Sequence, residues 1–345
     1  MLFRSALATW RDPVHSGATA RVTKEQRSRG PSRVNSLSSL YGLVTAARNG
    51  LYDRSIFKSR KLLSPVISVG NISVGGSGKT PFVILLGELL KQRGIAFDVL
   101  SRGYGRETHG TMAVAPNGTS LDFGDEPLLI AQRLGCPVIV GESRYQAGVL
   151  AEKKDDSTIH ILDDGFQHRS LARDFDIVLL TSEDLHDQLL PAGRLREPLS
   201  SLRRADAVVL TEETDPTQMP PGKFVWRVRR GLTLPTAPKN PIIFCGIARP
   251  HRFVEQLRMI GIQPSAEKFY RDHHKYTRDD VRDLLDLRDG KQSGSFITTE
   301  KDAINLGPYL AEVAPVIARV QMEIVDSADV VDTILRVIAE RRTKA

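Results

Sequence analysis

The apolar run Ser64-Pro65-Val66-Ile67-Ser68-Val69 leads toward Ser73-Val74-Gly75-Gly76-Ser77-Gly78-Lys79-Thr80, and no other feature narrows the fold so far. Beyond it, Pro81-Phe82-Val83-Ile84-Leu85-Leu86 suits a helix with proline in its first turn. In this strand–loop–helix order the loop is a triphosphate cradle. Gly75, Gly76 and Gly78 let backbone N–H groups turn toward phosphate oxygens, Lys79 brings a cation to the β- and γ-phosphates, and the Thr80 hydroxyl can ligate Mg²⁺. The dipole of the following helix adds to the anion site. Ser73 stands where the motif usually has its first glycine, so the match is a relaxed one. The context predicts nucleoside triphosphate binding.

Apolar runs continue at Phe97–Leu100, Val138–Val140, Ile159–Leu162, Ile177–Leu180 and Ala207–Leu210, with helical stretches between them. Runs rich in β-branched residues and bounded by Gly, Asp or Ser read as buried parallel strands in βαβ units. The expected fold class is α/β: a P-loop NTPase-type, mostly parallel sheet with helices on both faces over residues 61–221. A Pro/Thr-rich break, Thr211 to Pro221, precedes Lys223-Phe224-Val225-Trp226-Arg227-Val228, which alternates and is expected to turn near Gly231. Residues 222–240 are therefore read as a two-stranded β-ribbon linker, and 241–345 as a smaller C-terminal α/β domain.

Of the net charge of +7, residues 1–60 carry +8, with 11 Lys+Arg against 3 Asp+Glu, so the body is close to neutral. That distribution argues against a nucleic-acid-binding body and for a local attraction of the N-terminus to an anionic surface. Residues 1–35, rich in Arg, Ser, Gly and Pro, read as disordered, a leader, or an extension upstream of the true start. Residues 36–60 set Leu37, Leu40, Tyr41, Leu43, Val44, Leu51, Tyr52, Ile56 and Phe57 against Arg48, Arg54, Lys58 and Arg60 at roughly helical spacing. Such an amphipathic helix either lies in a lipid interface or packs on the protein's own core. No apolar run is long enough to span a membrane. Cys136 and Cys245, far apart and beside apolar runs, read as buried thiols in a reducing compartment.

Ile159-His160-Ile161-Leu162-Asp163-Asp164 ends an apolar strand in two carboxylates, either of which can face the metal held by Thr80. Gly165-Phe166-Gln167-His168-Arg169 follows at the sheet's carboxyl edge, where open α/β sheets bind ligands. Ser101-Arg102-Gly103-Tyr104-Gly105-Arg106 offers arginines for phosphate. Gly124-Asp125-Glu126-Pro127 opens a helix, so Asp125 is either a cap or a carboxylate placed for an attacking hydroxyl. Asp272-His273-His274 lacks zinc-like spacing, and Thr299-Glu300-Lys301-Asp302 resembles a strand end with a helix cap.

This ordered series, together with Leu190-Pro191-Ala192-Gly193-Arg194-Leu195-Arg196-Glu197, closely resembles the tetraacyldisaccharide 4′-kinase (lipid A 4′-kinase) family of Gram-negative bacteria, from about Leu40 to about Glu340. The resemblance implies transfer of the γ-phosphate of ATP to the 4′-hydroxyl of a tetraacyldisaccharide 1-phosphate. It implies ATP and Mg²⁺ as cofactors, with Ser73–Thr80 around the nucleotide and Thr80, Asp163 and Asp164 on the metal side. Asp125 and His273 would form the acid–base pair that takes the sugar proton, with His274 as second choice. Lys79 would act on the transferred phosphate, and Arg102, Gln167, His168 and Arg194 would contact phosphates or substrate. The family's membrane-facing helix matches Ser38–Phe57, which implies a peripheral protein on the cytoplasmic face of the bacterial inner membrane. The implied partners are the lipid A disaccharide precursor and that leaflet, with no nucleic acid and no obligate protein partner.

Two rival readings remain at this point: a GTPase-like switch and a kinase of a soluble metabolite. A GTPase would show Asp-x-x-Gly and Asn/Thr-Lys-x-Asp; Asp163-Asp164-Gly165 and Thr299-Glu300-Lys301-Asp302 fit neither spacing.

Overall fold

A computed structural model describes residues 33–154, 159–325 and 329–344. The expectation for residues 1–35 thus lies almost wholly outside the described residues. After helix α1 (Arg33–Asp53), the chain alternates β1 (Val66–Asn71), α2 (Lys79–Gln92), β2 (Phe97–Ser101), the two-residue β3 (Met112–Ala113), α3 (Ser120–Phe123), α4 (Asp125–Leu134), β4 (Val138–Val140), α5 (Arg144–Lys154), β5 (Ile159–Asp163), β6 (Phe175–Leu180) and β7 (Ala207–Thr211). The second half comprises β8 (Phe224–Thr233), β9 (Ile242–Cys245), α6 (Pro250–Met259), β10 (Ala266–Phe269), α7 (Arg278–Gly290), β11 (Phe296–Thr299), α8 (Glu300–Leu306), α9 (Leu310–Val313), β12 (Val316–Ile324) and α10 (Val330–Thr343).

All strands join one sheet in the order β10-β9-β11-β12-β8-β7-β6-β1-β5-β2-β4-β3. The six runs expected as parallel strands are β1, β2, β4, β5, β6 and β7. They pair in parallel and are buried along nearly their whole length, as strands covered on both faces must be. On one face Val69, Phe82, Leu86, Ile130, Ile161 and Ile177 form the main core with α2 and α4. On the other, Val66, Leu100, Leu162 and Leu171 pack under α5. In the register between β1 and β5, Val69 lies beside Asp163, so the loop after β1 and the acids ending β5 emerge at the same edge.

The linker differs from the expected ribbon. β8 runs straight through Gly231, pairing in parallel with β7 and antiparallel with β12 through Ile324–Val228 and its neighbours. Gly231 has open space and needs no turn, so an alternating segment with a strand on each side simply continues. The expected C-terminal division is crossed as well. α10 inserts Val330, Val331, Ile334 and Ile338 into the main core beside α2 and β6, and not into the cores around β9 and β11. Its amphipathic sequence announces a buried face but not which core receives it.

α1 ends at Asp53, short of the expected residue 60, and of the two expected placements its leucine face is not packed on the core. Its buried residues are polar: Ser38, Thr45 and Asn49. Leu37, Leu40, Leu43 and Val44, which share a face, are 54%, 58%, 69% and 62% exposed. The reason is a set of polar anchors beneath it. Asn49 Nδ2 donates to the buried Glu197 at 2.8 Å, Tyr41 donates to the Arg196 carbonyl at 3.1 Å, and Arg48 donates to the Gln167 carbonyl at 2.7 Å. Arg169 reaches back to the Asn49 carbonyl and to Asp53.

Candidate functional site

The loop after β1 turns into α2 through Gly78, whose φ of +88° places the helix N-cap in the left-handed region that a side chain would strain. A cavity of about 1240 Å³ opens here, lined by Val74 through Thr80 and by Asp163, Asp164, Gln167, His168, Arg102, Arg144, Arg196, Lys301 and His273, among others. Ser73 is buried behind this wall, where its carbonyl accepts from Arg196 at 3.0 Å. Thr80 is buried at the first turn of α2. Asn71 Nδ2 donates to the Ser77 hydroxyl at 2.7 Å and braces the loop from below.

The two acids at the end of β5 have different surroundings. Asp164, with φ of +49°, faces Lys79 at 3.4 Å and the Arg196 guanidinium at 3.1 Å through both oxygens. Burial favours its neutral form, but Lys79 and Arg196 outweigh it and hold the carboxyl below the usual range. Asp163 accepts from the Ser101 hydroxyl at 3.0 Å. Burial, with the Glu126 and Asp164 charges nearby, pushes it up to about 7. Burial is the larger cause, so a cation beside this carboxyl would favour its ionised form. Among the described residues no cluster of three His, Cys, Asp or Glu side chains is arranged to hold a metal by itself. Mg²⁺ at a nucleotide requires no such cage, because phosphate oxygens and waters complete its octahedron. The hard-oxygen set of Thr80 and Asp163 fits that ion.

A second pair reaches the same cavity through His273. His273 Nδ1 lies 2.7 Å from Asp125 Oδ2, with Asp125 buried at the start of α4. Burial pushes Asp125 up, but the His273 hydrogen bond and the Lys301 and Lys275 charges bring it down to about 2. The same hydrogen bond raises His273 above the ordinary imidazole value, against its own burial. Since an ionised carboxylate only accepts, Nδ1 carries the hydrogen in the neutral ring, and Nε2, 3.9 Å from Asp272 Oδ1, is the nitrogen left to accept a proton. His273 has φ of +56°, a strained position for a non-glycine residue. Its N–H donates to the Gly246 carbonyl at 3.1 Å, and its ring lies 5.3 Å from that of Tyr104. Gly246 is required there because a Cβ would sit 2.8 Å from the Arg271 carbonyl and 3.0 Å from His274. His274 stacks on Tyr270 and contacts Asp280 at 3.0 Å, so the structure places it outside the cavity wall.

Of the other expected contacts, Arg102, Gln167 and His168 line the cavity. Burial and the Arg144, Arg173, Arg48 and Arg102 charges push His168 down to about 4, so it is a neutral ring among arginines. Gln167 donates to the Asn71 carbonyl at 2.8 Å and leaves a buried Oε1 unpartnered. Arg194 does not join this group. It pairs with Asp187 at 2.7 Å and with Glu183 and Asp184, away from the cavity lining, while Arg196, two residues on, lies on the wall. In an extended Arg-x-Arg segment the choice between two arginines depends on which faces the sheet edge, and the sequence carries no signal of that. Arg144 and Glu126 also line the cavity, outside the set of residues expected from the sequence. Lys301, which pairs with Glu126, was visible only as part of a helix-capping motif.

Comparison with known proteins follows the same outline. The family model described as tetraacyldisaccharide-1-P 4′-kinase matches residues 33–339. A protein of Koribacter versatilis named tetraacyldisaccharide 4′-kinase is 47% identical over 323 residues, covering 90% of this chain and all of that one. A protein of Aquifex aeolicus with the same name is 40% identical, covering 79% of this chain and 89% of the relative. The crystal structure of LpxK from Aquifex aeolicus in complex with ATP superposes with a TM-score of 0.74 at 37% identity, over 88% of this chain and 98% of that one.

Proposed function

Because the chain belongs to the tetraacyldisaccharide-1-phosphate 4′-kinase family, we propose that it transfers the γ-phosphate of ATP to the 4′-hydroxyl of a tetraacylated disaccharide 1-phosphate. The observation that carries the chemistry is that one cavity is lined by both the Val74–Thr80 loop and His273, which Asp125 backs.

In this reading the N–H groups of the loop and Lys79 hold the triphosphate. Thr80 and Asp163 would hold the metal, because Asp164 is already engaged by Lys79 and Arg196. Bound magnesium would neutralise charge on the β- and γ-phosphates. The acceptor 4′-oxygen forms a bond to the γ-phosphorus as the bond to the β–γ bridging oxygen breaks, and ADP leaves with that electron pair. The hydroxyl proton passes to His273 Nε2, and Asp125 orients the ring and stabilises its cation. Arg102 and Arg144, beside the neutral His168, form the cationic end of the cavity for the anionic sugar.

The acceptor's acyl chains stay in a bilayer while ATP is in water. Among the described residues no helix is long and apolar enough to cross a membrane. The exposed Leu37, Leu40, Leu43 and Val44 of α1, with Ile56, Phe57 and Leu63 beyond it, make an apolar surface suited to the lipid interface. The anionic cytoplasmic leaflet then attracts the basic N-terminal segment.

The test is incubation of the protein in detergent with Mg²⁺-ATP and tetraacyldisaccharide 1-phosphate, read by mass spectrometry, with Lys79→Ala as control. A lipid product heavier by one phosphate, absent with the variant, supports the reading. ATP turnover without a phosphorylated lipid contradicts it.

A further inference from the structure

The Asp125 oxygen that faces His273 is shared with a group that neither motif contains. Asn305 Nδ2 donates to Asp125 Oδ2 at 3.2 Å, the same oxygen that faces His273, and Asn305 is itself buried. Its other end is fixed. Lys275 Nζ donates to Asn305 Oδ1 at 2.9 Å and to the Ser120 carbonyl at 3.4 Å. An ammonium only donates, so the Asn305 amide cannot flip without facing two donors together and leaving Asp125 unserved. The remaining Asp125 oxygen accepts from the Glu126 N–H at 2.9 Å. The carboxylate is therefore held from three sides.

These partners come from different parts of the chain. Asp125 opens α4, whereas Asn305 lies on α8 and Lys275 follows the His273 loop. Lys301 and Asn305 are one turn apart on α8 and both face α4, where Lys301 pairs with Glu126 and Arg133 of α4 reaches Glu300 at 2.7 Å.

We infer that Asn305, oriented by Lys275, is a positioning residue for phosphoryl transfer: it fixes the Asp125 carboxylate against His273 and makes the pair depend on α8 seating on α4. The inference rests on the acid–base reading of that pair.

A cycle of kcat measurements on Asn305→Ala, Asp125→Ala and the double variant, with KM for ATP and for the lipid, tests it. The loss of a hydrogen bond to a charged group predicts that Asn305→Ala lowers kcat about tenfold or more, with both KM values little changed. In the Asp125→Ala background the same substitution should cost almost nothing. A full, additive loss in that background, or a loss confined to KM, overturns the inference while leaving the pair intact. If Asp125→Ala and His273→Ala keep full kcat, the acid–base reading fails and the inference falls with it. Should Asn305→Ala fail to fold, Lys275→Met provides the same cycle, since it removes the clamp on the amide together with a positive charge that acts on Asp125, and an equally non-additive loss is expected.

Discussion

His273 Nδ1 and Asp125 Oδ2 meet at 2.7 Å although the two residues are 148 positions apart. Asp125 begins a helix of the P-loop half, and His273 sits at a left-handed backbone position in the other half. The base of the proposed reaction is thus assembled by tertiary packing.

If the pair works as a unit, Asp125→Ala and His273→Ala should each lower kcat by about a hundredfold or more, and the double variant little further. Initial-rate kinetics at saturating substrates checks this. Additive losses would separate the two residues.

The pH dependence has a definite sign. His273 must be neutral at Nε2 to take a proton, and Asp125 raises its pKa. Activity should therefore fall as pH drops through a value above the ordinary imidazole 6.5. Asp125→Asn removes the stabilising charge, so the acid limb of kcat should move to lower pH while the maximum falls. A kcat–pH profile of both proteins decides it, and an unmoved limb would contradict the pairing.

The two acids of β5 should separate by their response to metal. Asp163→Asn should raise the Mg²⁺ concentration needed for half-maximal rate by about tenfold or more. Asp164→Asn should lower kcat at every Mg²⁺ concentration, because it releases Lys79 and Arg196. Mg²⁺ titrations of the initial rate distinguish them, and the reverse assignment would exchange the two patterns.

On α1, Leu40→Asp with Val44→Asp should weaken co-sedimentation with anionic phospholipid vesicles and leave nucleotide binding unchanged, since these side chains touch solvent and not the cavity. Unchanged vesicle binding would remove α1 from the membrane contact.

A buried pair away from the cavity gives a stability prediction. His160 Nδ1 lies 2.8 Å from Asp98 on the neighbouring strand, with Glu152 beyond its other nitrogen. Burial lowers the His160 pKa, but Asp98 and Glu152 outweigh it and raise it. The stabilisation is then complete below the ordinary 6.5 and is lost as pH rises through the raised folded value. The Tm gap between the wild type and the His160→Gln/Asp98→Asn variant should narrow as pH rises. A gap that widens would reverse the sign.

How much of this was legible before the structure depends on how local each signal is. Strands β1, β2, β4, β5, β6 and β7, the Gly78 turn and the acids of β5 are written in contiguous residues, because a buried strand and a phosphate loop each have a short-range pattern, whereas the two-residue, half-exposed β3 has none. The course of β8 through Gly231, the return of α10 to the first core and the choice of Arg196 over Arg194 depend on partners distant in sequence. Asn305 is the extreme case. It follows a strand-end cap motif and looks like a helix residue until α8 lies against α4. The exposed face of α1 was half visible: its leucine stripe was in the sequence, but the polar anchors that turn it outward were not.

The measurement closest to the central claim is the site of the new phosphate. After turnover with Mg²⁺-ATP, ¹H–³¹P correlation on the lipid product should show one added phosphomonoester coupled to the proton on carbon 4′, beside the original 1-phosphate. A phosphate on any other position, or an unmodified lipid with ATP consumed, would contradict assignment of this cavity to 4′-phosphorylation.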